Sequence, residues 1–332
     1  MFSMGLDIGY SNLNVAYGAP AGAGGPVTDV RPVGAAEKER LPIDVLGKGD
    51  EFVEVQVDGK LYAACVDPNR LENWSRILYE DYPSTAAYRA LFRAGLALTN
   101  RNRVDKLVTG LPVRSYLEEG AAEKLARRMR GTHEIREGYQ VEVGDVEVVP
   151  QPVGAYLDYM IQSSREEELA EARVLTIDPG YFSVDWVQLA GFEIQPNSSG
   201  SSTNATSRVL EEAAKTIYEN TGGRVAPERI ERSLRDGKDT LYQLGDHLNL
   251  EPYLKQAAQR VSPTVIDGIQ GSLRGSNDTV DLILLTGGGA AFYEDPIREA
   301  FPQSEVVRPR DPVASNARGF WWYAQSSNPE AA

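Results

Sequence analysis

The chain is poor in the residues that build disulfide, thiol and imidazole chemistry. Its 332 residues include one cysteine, Cys65, and two histidines, His133 and His247. A single cysteine excludes an intramolecular disulfide, and nothing around Cys65 has the spacing of a metal site. The histidines are far apart in sequence and read as surface residues. Positive charge is also short. With 34 Lys and Arg against 48 Asp and Glu, the formal charge is −14. That balance argues against broad nonspecific DNA binding by the chain alone, although a basic partner remains free to carry DNA. No apolar run approaches the length of a membrane span. The N-terminus has no basic segment leading into an apolar one, so a cytoplasmic protein without membrane contact is expected. Three common nucleotide fingerprints are missing as well. There is no G-x-x-x-x-G-K-[ST], no G-x-G-x-x-G after the first strand, and no kinase loop set.

What is present centres on Met4 to Gly18, MGLDIGYSNLNVAYG. Met4, Leu6 and Ile8 alternate as a short buried strand, and Leu13, Val15 and Tyr17 alternate again as a second. Asp7 sits inside the first run. A buried carboxylate costs several kcal/mol unless it is paired. Gly9 permits a tight turn and close approach of backbone to a ligand. Taken alone, the stretch reads equally as an ordinary hairpin with a solvated aspartate, or as a tip that holds phosphate and, through Asp7, a hydrated divalent cation.

The same device recurs. Val174 to Asp178 is an apolar strand ending in Asp, Pro179-Gly180-Tyr181 is the turn, and Ser183 to Val187 alternates back. Such duplication predicts two similar domains, with two Asp-Gly hairpins around one metal and one polyphosphate. A third glycine site, Thr286-Gly287-Gly288-Gly289-Ala290, ends the strand Val280 to Leu285, apolar except at Asp281, as in a sheet covered on both faces. Three missing side chains there let a phosphate or a flat ligand lie against the backbone.

The length suits two domains or one large one. Between the glycine sites the spacing predicts a loop over 19–25 and a hairpin around Asp58-Gly59. It predicts a helix opened by Pro83 and Ser84, a strand over 104–112, and one amphipathic helix from Arg114 to Arg130 with Leu117 on its apolar face. Tyr139 to Val149 reads as strand material turning at Gly144-Asp145. Pro150-Gln151-Pro152 leads into a helix and fixes the backbone around Gln151. Alone, that Gln is more simply a polar loop residue than a group that orients water. Glu166 to Glu171 is a plausible crossing between domains. Residues 191–206 form a long Ser/Asn-rich loop, and Ser207 to Asn220 is helical. Pro227 to Leu234 is a short helix, and Tyr253 to Leu273 a longer one bent or interrupted at Pro263. A last helix over 311–325 ends in the aromatics Phe320, Trp321, Trp322 and Tyr323.

These motifs resemble, in order and over nearly the whole chain, those of the actin-like ATPase superfamily. Within it the ParM/StbA-like plasmid-segregation proteins are the nearest likeness. Each motif is weak alone, but five in the family's order are specific. The first phosphate motif is Asp7-Ile8-Gly9-Tyr10-Ser11-Asn12, the first connecting motif Pro150 to Ala155, and the second phosphate motif Asp178 to Tyr181. The adenosine motif is Thr286 to Ala290, and the second connecting motif Pro312 to Gly319.

The resemblance implies an α/β, ribonuclease H-like fold, duplicated around a central nucleotide cleft. Domain I would span 1–165 with 308–332, and domain II 166–307. It implies ATP or ADP with Mg²⁺ held by Asp7 and Asp178 through water. Gly9, Tyr10, Ser11, Asn12, Gly180 and Tyr181 would lie at the phosphates. Gln151 would place the attacking water, with Asp7 and Asp178 beside it in catalysis. Glu212 and Lys215 would lie near adenine or ribose, and Gly287, Gly288 and Gly289 at ribose and α-phosphate. It also implies self-assembly into filaments and a small DNA-binding adaptor, without direct nucleic-acid contact. Two other readings stay open: a small-molecule kinase with Asp185 as base, and a static scaffold. One departure stands out, because Asn14 occupies a position where relatives often carry a phosphate-reaching lysine.

Overall fold

The computed structural model describes residues 1–19, 25–41, 52–71, 82–275 and 279–326. The loop expected over 19–25 falls largely outside them. The chain divides into two units, Met1–Glu171 with Pro309–Ala332, and Ala172–Arg308.

Unit one opens with β1 (Ser3–Ile8), β2 (Asn12–Gly18), β3 (Val27–Pro32), β4 (Gly34–Glu37), β5 (Val53–Val57) and β6 (Lys60–Val66). It continues with α1 (Ala86–Leu98), β7 (Arg103–Leu111), α2 (Val113–Tyr116), α3 (Ala121–Met129) and β8 (Gly131–Arg136). After these come β9 (Tyr139–Pro150), α4 (Gln151–Ser163) and α5 (Glu166–Glu171). Unit two carries β10 (Arg173–Pro179), β11 (Val184–Ala190), β12 (Glu193–Ile194), β13 (Gly200–Ser202), α6 (Thr206–Thr221) and α7 (Pro227–Arg235). It ends with β14 (Thr240–Gln243), β15 (Asp246–Asn249), α8 (Glu251–Leu273), β16 (Leu282–Leu285), α9 (Ala290–Ala300) and β17 (Glu305–Val307). The chain then returns to unit one as α10 (Ser315–Ser326).

Each unit is built on the same sheet plan. In unit one the strand order is β3-β2-β1-β7-β9-β8, and in unit two β12-β11-β10-β16-β17. In both, an antiparallel hairpin supplies the central strand, and two strands run parallel beside it. Parallel strands are buried on both faces, which is why Leu282 to Leu285 reads as an unbroken apolar run. In unit one, α1 packs across β4, β5 and β6. Its N-cap is Thr85, whose hydroxyl accepts from the Tyr88 N–H at 3.1 Å, two residues after the expected Pro83 opening. The Asp58-Gly59 turn is as expected, with φ of 51° and 76°, both left-handed.

Helices α4 and α10 pack so closely that a Cβ on Gly319 would overlap the backbone of Gly154. Arg318 locks this pair. Its guanidinium donates to both oxygens of Asp158, which is 1% exposed, and to Asp311 at 2.6 Å. Phe320 and Trp321 are fully buried beneath β1, β2 and β7, while Trp322 and Tyr323 are partly buried at the edge of the same clusters.

Several expected elements differ. The helix expected over 114–130 is two pieces, because Gly120 adopts φ 74°. Leu117, expected on its buried face, is exposed. Gly144 makes no turn. β9 runs straight through it where a side chain would strike the Asp105 carbonyl, and the turn falls at Gly138 with φ 74°. The expected 191–206 loop includes β13, paired to β11. The helix α8 passes through Pro263 unbroken, its lost hydrogen bond offset by the buried Leu254, Val265 and Ile269. His133 is half-buried and meets the Phe92 ring edge-on at 4.8 Å, whereas His247 is exposed. Cys65 is buried, which pushes its thiol up to about 12.

Candidate functional site

Asp7 lies one residue from the end of β1, directly opposite Asn14 on β2. Opposed residues point to one face, so the two side chains meet. Asn14 Nδ2 donates to Asp7 Oδ2 at 3.1 Å, and Gln151 Nε2 donates to Asp7 Oδ1 at 2.9 Å. A third amide, Asn316 from α10, also donates to this carboxylate. Asp7 is 6% exposed. Burial pushes its carboxyl up from the ordinary value, and the amides of Asn14, Gln151 and Asn316 pull against it. Gln151 is the first residue of α4, following Pro150 as N-cap. The two prolines therefore aim one helix end at one carboxylate. The turn is closed by the Gly9 N–H, which donates to the Asn12 carbonyl at 3.0 Å. Tyr10 is turned aside. Its ring stacks on Tyr82 at 4.6 Å. Ser11 and Asn12 are partly exposed at the tip.

Unit two repeats the arrangement. Asp178 is opposite Asp185, and the Gly180 N–H donates to the Ser183 carbonyl at 2.8 Å. Asp178 is 8% exposed, as is Tyr181. Gly287 has φ 76°, and a side chain there would overlap the Asp178 carboxylate. Gly289 is equally confined, because a Cβ would overlap the Thr206 hydroxyl at the start of α6. The glycine turn thus lies against the second Asp-Gly hairpin, and the Gly289 N–H donates to the Pro179 carbonyl at 2.8 Å. Asp185 accepts from the hydroxyls of Ser183 and Ser201. Glu212 and Lys215 line a separate concavity of about 540 Å³ with Arg208, Glu211 and Arg260. Arg260 pairs with Glu212, and Lys215 lies 3.9 Å from the same carboxylate. The glycines 287–289 are not among its lining.

The sequence matches the N-terminal domain of actin-like proteins over residues 5–154, and the MreB-like C-terminal domain of archaeal actin homologues over 176–299. Both halves of the chain belong to the actin-like proteins. An archaeal actin homologue, Ta0583, superposes with a TM-score of 0.76 at 20% identity, covering 98% of this chain and 100% of that one. Its complex with ADP gives 0.71 at 19% identity, covering 98% and 100%. A 15-stranded ParM filament from Clostridium botulinum gives 0.74 at 15% identity, covering 98% and 99%. At these identities the likeness is one of fold. No curated protein matches the sequence.

In this actin-like chain three groups escaped sequence reasoning. Asn14 was read only for the lysine it replaces, although its strand register with Asp7 was available. Asn316 lies 309 residues from Asp7, inside the second connecting motif, and nothing local in the sequence ties it to that carboxylate. Thr206 was placed in a loop, yet its buried Oγ1 has no hydrogen-bond partner and sits beside Gly289. Among the described residues no three His, Cys, Asp or Glu gather as a metal cage. The available donors fit a cation that keeps its water instead. Asp7 is a hard oxygen donor held by neutral amides, and Asn14 Oδ1 is buried with no hydrogen-bond partner. Mg²⁺ binds in this way, through one or two carboxylates and several waters. Among the described residues no helix is long and apolar enough to cross a membrane.

Proposed function

We propose that the chain is an ATP-hydrolysing filament protein that segregates plasmid DNA through a DNA-bound adaptor. Asp7 with Asn12 and Ser11, and Asp178 with Gly180 and Gly287 to Gly289, address an ATP or ADP molecule with its Mg²⁺. The observation that carries this reading is the repeated Asp-Gly hairpin, with Gln151 fixed on Asp7. When bound, Mg²⁺ supplies positive charge that offsets the phosphate oxygens. The chain's own residues orient the reactants. An ionised carboxylate only accepts, so Asp7 fixes Gln151 with its NH₂ inward. That leaves Gln151 Oε1 as an acceptor for the attacking water. An amide takes no proton at neutral pH, so Gln151 aligns the water and does not act as base. Glu212 and Lys215 lie along α6, about 9 and 13.5 Å beyond Thr206 by helical rise, and are proposed for the adenine or ribose end. The expected cytoplasmic location and the −14 charge fit a chain that leaves DNA contact to a basic adaptor.

The kinase alternative needs a free base near the phosphates. Its candidate, Asp185, is 3% exposed and accepts from two serine hydroxyls, which favours a structural role. Light scattering on addition of ATP and Mg²⁺, with electron microscopy of the product, tests the proposal. Filaments that form with nucleotide and shorten on hydrolysis support it. No assembly under any salt or nucleotide condition removes it, and fixed filaments indifferent to nucleotide point to a scaffold.

A further inference from the structure

The surroundings of Asp7 are unusual in what they contain and in what they leave over. Its three hydrogen-bonding side chains, Asn14, Gln151 and Asn316, are neutral amides. Among the described residues, no cationic side chain is among the groups that stabilise its charge. A carboxylate has capacity for about four hydrogen bonds. Three are filled by amides, which leaves room for one more donor. Asn14 is 4% exposed, and its Nδ2 is committed to Asp7. Its Oδ1 is buried without any hydrogen-bond partner. A buried acceptor without a hydrogen bond forfeits its hydration with no return, so the fold carries that cost at the very residue that anchors Asp7. Two oxygens with spare accepting capacity, one charged and one neutral, stand side by side on opposed strands. They lie beside a tip that carries the partly exposed Ser11 and Asn12. A hydrated cation presents what both lack, namely water protons and positive charge. A free phosphate would meet only acceptors and negative charge here.

We propose that Asn14 is a positioning residue for the divalent cation. It fixes the Asp7 carboxylate through Nδ2 and accepts from the cation's water shell through Oδ1, so the cation supplies positive charge that no described side chain supplies to Asp7. The inference rests on the nucleotide-binding reading above and adds that Asn14 couples nucleotide to cation. Partners of this outer kind typically shift metal affinity by ten- to a hundredfold.

The test is calorimetric titration of the purified full chain with ADP, in EDTA and over graded Mg²⁺. The wild-type protein and Asn14→Leu are compared, with thermal unfolding of each recorded. Leu is close to isosteric and removes both donor and acceptor. The expected result is that wild-type affinity rises with Mg²⁺, and that Asn14→Leu needs about ten to a hundred times more Mg²⁺ for the same rise. Its affinity in EDTA should match that of the wild type. An unchanged Mg²⁺ midpoint overturns the inference, and so does an equal loss in EDTA and in Mg²⁺, which marks a merely structural role. If Asn14→Leu does not fold, Asn14→Ser carries the test with the same expected direction. Absence of ADP binding by the wild-type protein at high Mg²⁺ removes the functional reading and this inference together. Binding with an unaltered Mg²⁺ response in the variant removes the inference alone.

Discussion

Asp7 holds a charge where burial disfavours one, and the amides around it reduce that cost without removing it. Gln151 is the partner with a second task. Gln151→Ala should leave ADP affinity within a few-fold and lower ATP turnover about a hundredfold, the usual loss when a reacting group is misplaced by about 1 Å. Single-turnover kinetics beside ADP titration separates the two. His133 offers a pH test away from the site. Its Nε2–H donates to the Met129 carbonyl at 2.8 Å, which favours charge, while burial and Arg93 lower its affinity for a proton. Burial dominates, so the folded pKa falls below 6.5 and the unfolded chain binds the proton more readily. This contribution to stability is fully present above about pH 6.5 and is lost as pH falls toward the folded value. Urea unfolding at pH 8 and 5.5 should show a drop in the wild-type protein that is smaller in His133→Gln. The carboxylate at Asp7 was legible because an acidic residue inside an apolar run is costly and local. Asn316 was not, because its meeting with Asp7 depends on α10 returning to unit one after all of unit two.

Helix α10 shows how elements position residues that sequence alone leaves scattered. Its small residues let it approach α4 and β1, and Arg318 pins it to Asp158. Arg318→Ala leaves a buried carboxylate unpaired and should cost about 3–5 kcal/mol in denaturant unfolding. The double variant with Asp158→Asn should recover part of that loss. The two Asp-Gly hairpins and the 282–285 strand were readable, since alternation and an unbroken apolar run have few other solutions. The hairpin β14–β15 was not. Its turn is Leu244-Gly245, and Leu244 occupies φ 50° at 75% exposure, against both its hydrophobicity and its backbone preference. Gly144 misled for the opposite reason. It marks a close approach to Asp105, where a turn was the simpler reading.

At the scale of the molecule, the formal charge of −14 bears on the proposed assembly of two-unit chains. Like-charged subunits repel, and screening length shortens from about 30 Å at 0.01 M salt to about 10 Å at 0.1 M. Nucleotide-dependent light scattering should therefore begin at lower protein concentration as salt rises over that range. The central claim is that both Asp-Gly hairpins serve one nucleotide-dependent activity. Calorimetric titration of ADP with Mg²⁺ into the wild-type chain, Asp7→Ala and Asp178→Ala tests it most directly. One ADP should bind per wild-type chain, with a large loss of affinity in each variant. Wild-type affinity retained in either variant, or no binding by the wild type, would contradict it.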